Sequence, residues 1–139
     1  MEPRIQYAQT ADGVSIAFWT LGEGMPLVQM PTFPFSHIQL EWQHRDIREW
    51  YERLSEKRML VRYDSRGTGL SERHPADFSV DAQSLDLSAV VDRLGLHRFA
   101  LLAIVNSTPV AIAYSVRHPD RVSHLVLWCA WARASTWRT

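Results

Sequence analysis

The chain has 139 residues, and 46% of them are hydrophobic, which is typical of a single globular domain spanning residues 1–139. Fifteen basic and fifteen acidic residues cancel, so no charge excess favours nucleic acid or an anionic membrane as a partner. No apolar run reaches membrane-spanning length, and the lone Cys129 rules out an internal disulfide, so we expect a cytoplasmic protein. The histidines and cysteine lack metal-site spacing, so we expect neither a metal ion nor a cofactor.

The first segments in chain order predict strands separated by turn residues. Alternating side chains over residues 4–9 indicate a strand, and Asp12-Gly13 is typical of a hairpin turn into a second strand over 14–21. A short apolar run over 26–30 predicts a buried third strand, which the prolines at 31 and 34 end. Between Ile38 and Leu54, four apolar residues at helical spacing predict an amphipathic helix; they are Ile47, Trp50, Tyr51 and Leu54.

The remaining segments alternate between strand and helix. A fourth strand over 59–63 is followed by a helix that Ser79 caps and Gly95 ends. The last predicted elements are a strand over 99–105, a helix over 109–117 and a strand over 122–128. Strands and helices that alternate after an opening hairpin predict an α/β fold, a three-layer sandwich with a mostly parallel sheet of about six strands.

The segment Asp64-Ser65-Arg66-Gly67-Thr68-Gly69-Leu70-Ser71 follows the fourth strand directly. Its glycines permit a turn with positive φ, and we expect Asp64 and Arg66 to brace that turn through an ion pair. Taken alone, the segment indicates a structural turn rather than a site.

The order of these segments resembles the N-terminal half of the α/β-hydrolase superfamily. The resemblance covers residues 4 to 132 and includes Asp12-Gly13-Val14, the 64–71 loop, Leu94-Gly95-Leu96 and the stretch 117–122. It implies a sheet with strand order 1-2-4-3-5-6. The closest likeness is to a subgroup often fused to bacterial signalling proteins, which keeps open a third possibility, a regulatory or sensor domain in such a system.

The same resemblance places a nucleophile elbow, G-x-S-x-G, on Ala103-Ile104-Val105-Asn106-Ser107. Val105 then stands in the serine's place, and a valine side chain cannot act as a nucleophile. Because a β-branched residue at positive φ costs about 1–2 kcal/mol, we expect Val105 to end its strand at negative φ. The turn would then fall on Asn106 or Ser107, and Thr108 or Ser107 would cap the next helix, with Pro109 in its first turn.

Ser107 is the alternative nucleophile. It would need a histidine within hydrogen-bonding distance. The candidates are His37, in the loop after the third strand, and His74, in the loop after the fourth. We expect a relaxed turn and helix cap instead, and no catalytic residue.

A ligand site is a second possibility at this end of the sheet. In the resembling family the loop at 31–36 and the residue after the nucleophile, here Asn106, supply amides that bind an oxyanion. Four aromatic residues could line an apolar pocket beside these amides, or could instead pack in the core or under a lid. They are Phe33, Phe35, Trp42 and Trp131.

Complete members of the resembling family continue for further strands and helices, so the chain is expected to be a truncated form. The sixth strand would then be an apolar edge, which favours pairing with another chain. We therefore expect a homodimer through the sixth strand or the adjacent bare faces. The leading hypothesis is a non-catalytic, degenerate hydrolase-like protein that binds a small apolar ligand. The alternative is a hydrolase of ester or similar acyl substrates with a rebuilt or partner-completed site.

Overall fold

The computed structural model describes residues 1–32 and 36–131, which build a six-stranded sheet with order β1-β2-β4-β3-β5-β6. The predicted strand order is therefore confirmed. The strands are β1 Gln6–Gln9, β2 Ser15–Leu21, β3 Met25–Gln29, β4 Arg58–Tyr63, β5 Phe99–Ile104 and β6 Val122–Trp128. The helices in the described residues are α1 Ile38–Gln43, α2 Arg45–Leu54, α3 Val80–Arg93 and α4 Thr108–Arg117.

The sheet is antiparallel at its first edge and parallel beyond it. Strand β1 pairs with β2, and β2 with β4, in antiparallel fashion, whereas the pairs β4–β3, β3–β5 and β5–β6 are parallel. Helices α3 and α4 contribute to the larger of the two buried clusters, and α1 and α2 to the smaller. The predicted three-layer α/β sandwich is confirmed, and none of the described helices is long and apolar enough to cross a membrane.

The amphipathic helix predicted between Ile38 and Leu54 is α2, which holds all four residues of its apolar stripe, and a separate short helix, α1, precedes it. His44 adopts an extended conformation (φ −85°, ψ 120°) between α1 and α2. Trp42 and Tyr51 both pack edge-on against Trp19, with ring centroids 6.0 and 5.2 Å away. At about 100° per residue, nine positions would turn these two side chains to opposite sides of one continuous helix. The break at His44 allows both rings to meet Trp19.

The sequence signals for α3 are confirmed at both ends. The Ser79 hydroxyl accepts a hydrogen bond from the Ala82 N–H at 3.1 Å, which is the predicted N-cap. Gly95 follows the helix at φ 67°, the left-handed conformation that ends many helices.

Candidate functional site

The turn between β5 and α4 keeps a backbone conformation that the sequence argues against. Val105 has φ 55°, so the expectation that it would end the strand at negative φ is wrong. Residues Val105–Ser107 form one turn of 3-10 helix, and α4 begins directly afterwards at Thr108. Val105 is 37% exposed at the carboxyl end of the parallel strands. The sharp strand–turn–helix elbow is therefore present, with a valine at its strained position.

Two hydroxyl groups hold this elbow. The Ser107 hydroxyl accepts from the Ile104 N–H at 3.0 Å and donates to the Ile104 carbonyl at 3.1 Å. The Thr108 hydroxyl donates to the Val105 carbonyl at 2.7 Å and accepts from the Trp131 N–H at 3.1 Å. These bonds join the end of β5, the start of α4 and the segment after β6. They explain how the surrounding fold offsets the strain at Val105.

The predicted helix cap is formed differently. Thr108 is the first residue of α4 rather than its N-cap, and Pro109 follows in the first turn. Ser107 occupies the N-cap position but makes no side-chain hydrogen bond to the helix. The Ser107 hydroxyl bonds to the backbone of Ile104 instead of accepting a hydrogen bond from the first turn of α4.

The geometry argues against Ser107 as a nucleophile. Its side chain is 4% exposed, and both of its hydrogen bonds go to the backbone of Ile104. Of the two histidines considered, His37 caps α1 through its Nδ1, which accepts from the Leu40 N–H at 3.1 Å. His74 is exposed on the loop after β4. Within the described part of the chain, no hydrogen bond joins the Ser107 hydroxyl to a histidine.

The aromatic residues expected near the elbow separate into three groups. Trp42 is 6% exposed and belongs to the core around Trp19, so it lines no ligand site. Trp131 is half-buried, and its backbone N–H donates a hydrogen bond to the Thr108 hydroxyl at the start of α4. Asn106 of the elbow is also half-buried. Phe33 and Phe35 lie outside the described residues.

An apolar groove that sequence reasoning missed lies on the α2 side of the sheet. It has a volume of about 590 Å³ and runs between α2 and β6. Trp50 and Leu54 of α2 form one wall, Leu102 of β5 lies in it, and Val126 of β6 forms the other wall. The polar groups that line it are those of Arg58 and His124. The signal was the largely apolar composition of β5 and β6, which is typical of strands that carry apolar side chains on both faces of a sheet.

The loop after β4 is a structural clamp, but not through the predicted ion pair. The buried carboxylate of Asp64 accepts hydrogen bonds from the Ser36 hydroxyl at 2.7 Å, the Leu70 N–H at 2.9 Å and the Ile38 N–H at 3.0 Å. Burial raises the pKa of Asp64, and these bonds oppose the shift. The carboxylate therefore ties the start of α1 to the 64–71 loop.

Arg66 pairs with two other carboxylates, so the expected Asp64–Arg66 ion pair is wrong. Its buried guanidinium binds Asp86 of α3 at 2.9 Å and Asp12 of the first hairpin at 2.7 Å. The hydrogen bonds from Arg66 are the main cause that lowers the pKa of Asp12 well below its usual range. Burial is the main cause that raises the pKa of Asp86 to about 6. We call Asp12, Arg66 and Asp86 the Arg66 clamp.

A mostly parallel sheet that carries a strained elbow between its fifth strand and the following helix defines the α/β-hydrolase class of fold. A sequence model of the alpha/beta hydrolase fold matches residues 42–138. The chain belongs to that family.

Related proteins are similar over part of their own length. RutD of Caulobacter segnis, to which a carbamate hydrolase activity is ascribed, is 37% identical over 82 residues, which are 58% of this chain and 31% of that protein. The AB hydrolase superfamily protein YisY of Bacillus subtilis is 28% identical over 133 residues, 95% of this chain and 47% of its own. The chain therefore spans less than half the length of these relatives.

Solved structures show the same fold and the same partial coverage. A hydrolase from Pseudomonas aeruginosa superposes with a TM-score of 0.78 at 23% identity, over 96% of this chain and 49% of that one. A thermophilic esterase from Thermogutta terrifontis gives a TM-score of 0.75 at 25% identity, over 89% and 44%. The six-stranded unit therefore corresponds to slightly less than half of each structure.

Proposed function

We propose that this chain is a non-catalytic, degenerate hydrolase-like protein that self-associates and binds a small apolar ligand. The observation that carries the proposal is Val105 itself, which occupies the exposed, positive-φ position of the elbow without a nucleophilic atom. The hydroxyl of Ser107, two residues further on, is buried and hydrogen-bonded to Ile104. The elbow thus supplies a backbone shape and no nucleophile.

The size of the expected defect supports a non-catalytic function. Removal of the nucleophilic serine of one protease lowers kcat by about a million-fold, and the remaining groups give only weak acceleration. A chain with valine at this position is expected to fall to that background on an ester substrate.

The experiment is an activity measurement on the purified chain with a matched serine variant. We expect no turnover of short- and medium-chain p-nitrophenyl esters above buffer, and no labelling by a fluorophosphonate probe. Ser107→Ala should leave both results unchanged. Saturable turnover, or stoichiometric labelling that disappears in Ser107→Ala, would contradict the proposal.

A second candidate is a hydrolase of esters or similar acyl compounds whose site is rebuilt or completed by a partner. One observation favours it, because the strained elbow backbone persists at φ 55° although valine disfavours it. Turnover that appears only when a second polypeptide is added would support this candidate over the first.

The groove between α2 and β6 is the proposed ligand site. Its volume of about 590 Å³ lies within the range of small-molecule sites, about 300–1,000 Å³, and its lining is largely apolar. Leu102→Trp would fill the groove, and we expect it to abolish the fluorescence enhancement of anilinonaphthalene sulfonate, a probe whose aromatic part binds apolar sites. Val116→Trp, at an exposed position on α4, is the matched control. Equal probe binding by both variants would contradict this site.

A further inference from the structure

The Arg66 clamp places two carboxylates around one buried guanidinium. Arg66 donates to Asp86 from its Nε at 2.9 Å and from its backbone N–H at 3.0 Å, and its two terminal nitrogens bind the Asp12 carboxylate at 2.7 and 3.0 Å. The side chains of Arg66 and Asp86 are fully buried, whereas that of Asp12 is 37% exposed. Among the described residues, no second cation pairs with either carboxylate. With both carboxyl groups ionised, the clamp therefore holds one positive and two negative charges.

The groups around the clamp do not balance this excess of negative charge. Burial raises the pKa of Tyr63 in β4 and of Tyr114 in α4, so both are neutral phenols. Asp77 accepts a hydrogen bond from the guanidinium through its backbone carbonyl at 3.1 Å, and its exposed carboxylate adds a further negative charge. Arg62, which is also buried, is already paired with a carboxylate of α1. The excess negative charge therefore remains on the clamp.

A buried cluster with more negative than positive charge favours the uptake of a proton. Burial penalises the ionised form of a carboxyl group, and a cation offsets that penalty less well when a second carboxylate shares its charge. We propose that the Arg66 clamp is a proton-binding switch, in which Asp86 takes up one proton from solvent as the solution becomes mildly acidic. The clamp then holds one positive and one negative charge.

Asp86 is the group that binds the proton, because the two carboxylates differ in their surroundings. Asp12 lies partly in water and accepts hydrogen bonds from the terminal nitrogens of Arg66 and from the Thr10 hydroxyl, all of which favour its ionised form. Asp86 has no contact with solvent. Proton uptake turns its ion pair with Arg66 into a hydrogen bond to a neutral acid, which is weaker. The tie to α3 is thereby loosened, while the bidentate tie to the first hairpin remains.

The pKa values of the two carboxyl groups differ in the direction that this division requires. Burial, with a smaller contribution from the Asp12 charge, raises the pKa of Asp86 to about 6, whereas the hydrogen bonds from Arg66 hold the pKa of Asp12 well below its usual range. In the unfolded chain Asp86 binds its proton only near the ordinary pKa of aspartate, about 3.9. The folded state therefore binds this proton more tightly, so the contribution of Asp86 to stability rises as the pH falls from 7 towards 5. Below about pH 4 stability falls again, because Asp12 loses its charge.

Urea unfolding across this pH range tests the switch in the full chain. With the pKa of Asp86 at about 6, this group should lower the unfolding equilibrium constant about tenfold between pH 7.5 and pH 5. Asp86→Asn keeps the size of the side chain but stays neutral at every pH, so it should lack this gain. Asp120→Asn, at an exposed carboxyl group between α4 and β6, is the matched control and should keep the gain. The same pH dependence in the wild type and in Asp86→Asn would overturn the proposal.

Carbon-13 NMR of the carboxyl groups identifies the titrating residue without unfolding the protein. The Asp86 resonance, assigned by its absence from Asp86→Asn, should titrate between pH 7 and pH 5 in the wild type. Asp12→Asn leaves one carboxylate for one guanidinium, so the Asp86 titration should move to lower pH. A wild-type Asp86 resonance that does not change over this range overturns the proposal, and an unchanged titration in Asp12→Asn overturns the shared guanidinium as its cause. Neither measurement uses an ester or a ligand, so both are independent of the proposed function.

Discussion

Two loops leave the sheet at the carboxyl ends of β4 and β5, and they depend on their side chains in different ways. The loop after β4 is held by charged groups, since Asp64 and Arg66 each bind several distant partners. The elbow after β5 is held by the hydroxyls of Ser107 and Thr108, which bond to nearby backbone. The residue at the functional position, Val105, contributes no hydrogen bond through its side chain. The elbow thus keeps its shape without a hydrogen-bonding side chain at position 105, whereas the β4 loop is tied to distant elements by the charged groups of its own residues.

The largest expected effect comes from breaking the Arg66 clamp. Arg66→Met leaves the fully buried carboxylate of Asp86 without its cation, which costs about 3–5 kcal/mol in comparable buried pairs. Arg45→Met is the matched control, because Arg45 forms an exposed pair with Glu49 that is worth less than about 1 kcal/mol. Urea unfolding at one fixed protein concentration measures both variants. Equal losses of stability would show that the clamp is not what holds the β4 loop.

The next largest loss of stability is expected from substituting Gly69 in the 64–71 loop, with Gly13 in the first hairpin as the matched control. A Cβ at Gly69 (φ 49°) would overlap the Asp64 carboxylate, whereas a Cβ at Gly13 (φ 84°) would meet open space. Gly13→Ala should cost about 1–2 kcal/mol, the ordinary penalty for a left-handed residue. Gly69→Ala should cost at least about 1 kcal/mol more, because Asp64 must also give up hydrogen bonds. Thermal unfolding of the two variants measures the difference, and its absence would mean that Asp64 moves aside without loss.

A smaller effect is expected at the elbow. Thr108→Val keeps the shape of the side chain but removes the bonds to Val105 and Trp131, so we expect a loss of about 1–2 kcal/mol. Ser115→Ala, which removes a hydroxyl bonded to Ala111 within α4, should change stability by only a few tenths of a kcal/mol. If Thr108→Val behaved like Ser115→Ala, the hydroxyl would not be what holds the turn.

The hydrophobic patterns predicted the six strands, and the resemblance to the α/β-hydrolase superfamily implied their order, which the described sheet confirms. The sequence did not predict the partners of Arg66, since Asp12 and Asp86 lie 54 and 20 positions away and only the fold brings them together. The sequence also gave a wrong prediction for the backbone of Val105, because the conformational preference of valine favours a negative φ. There, two hydroxyls and the packing of β5 outweigh a local penalty of about 1–2 kcal/mol. The break at His44 depends on Trp19, a residue in another element.

The smallest effect concerns the strain at Val105 itself. Val105→Gly removes a penalty of about 1–2 kcal/mol for a β-branched residue at φ 55°. It also adds about 0.5–1 kcal/mol of backbone entropy to be lost on folding, so we expect a net gain in stability of about 0.5–1 kcal/mol. Val116→Gly, at an exposed position in the last turn of α4, should instead destabilise by a few tenths of a kcal/mol, because glycine is the poorer helix former. The two substitutions are chemically identical and are expected to differ in sign. A loss of stability in both, measured by urea unfolding, would show that Val105 contributes more through its packing than it costs through its conformation.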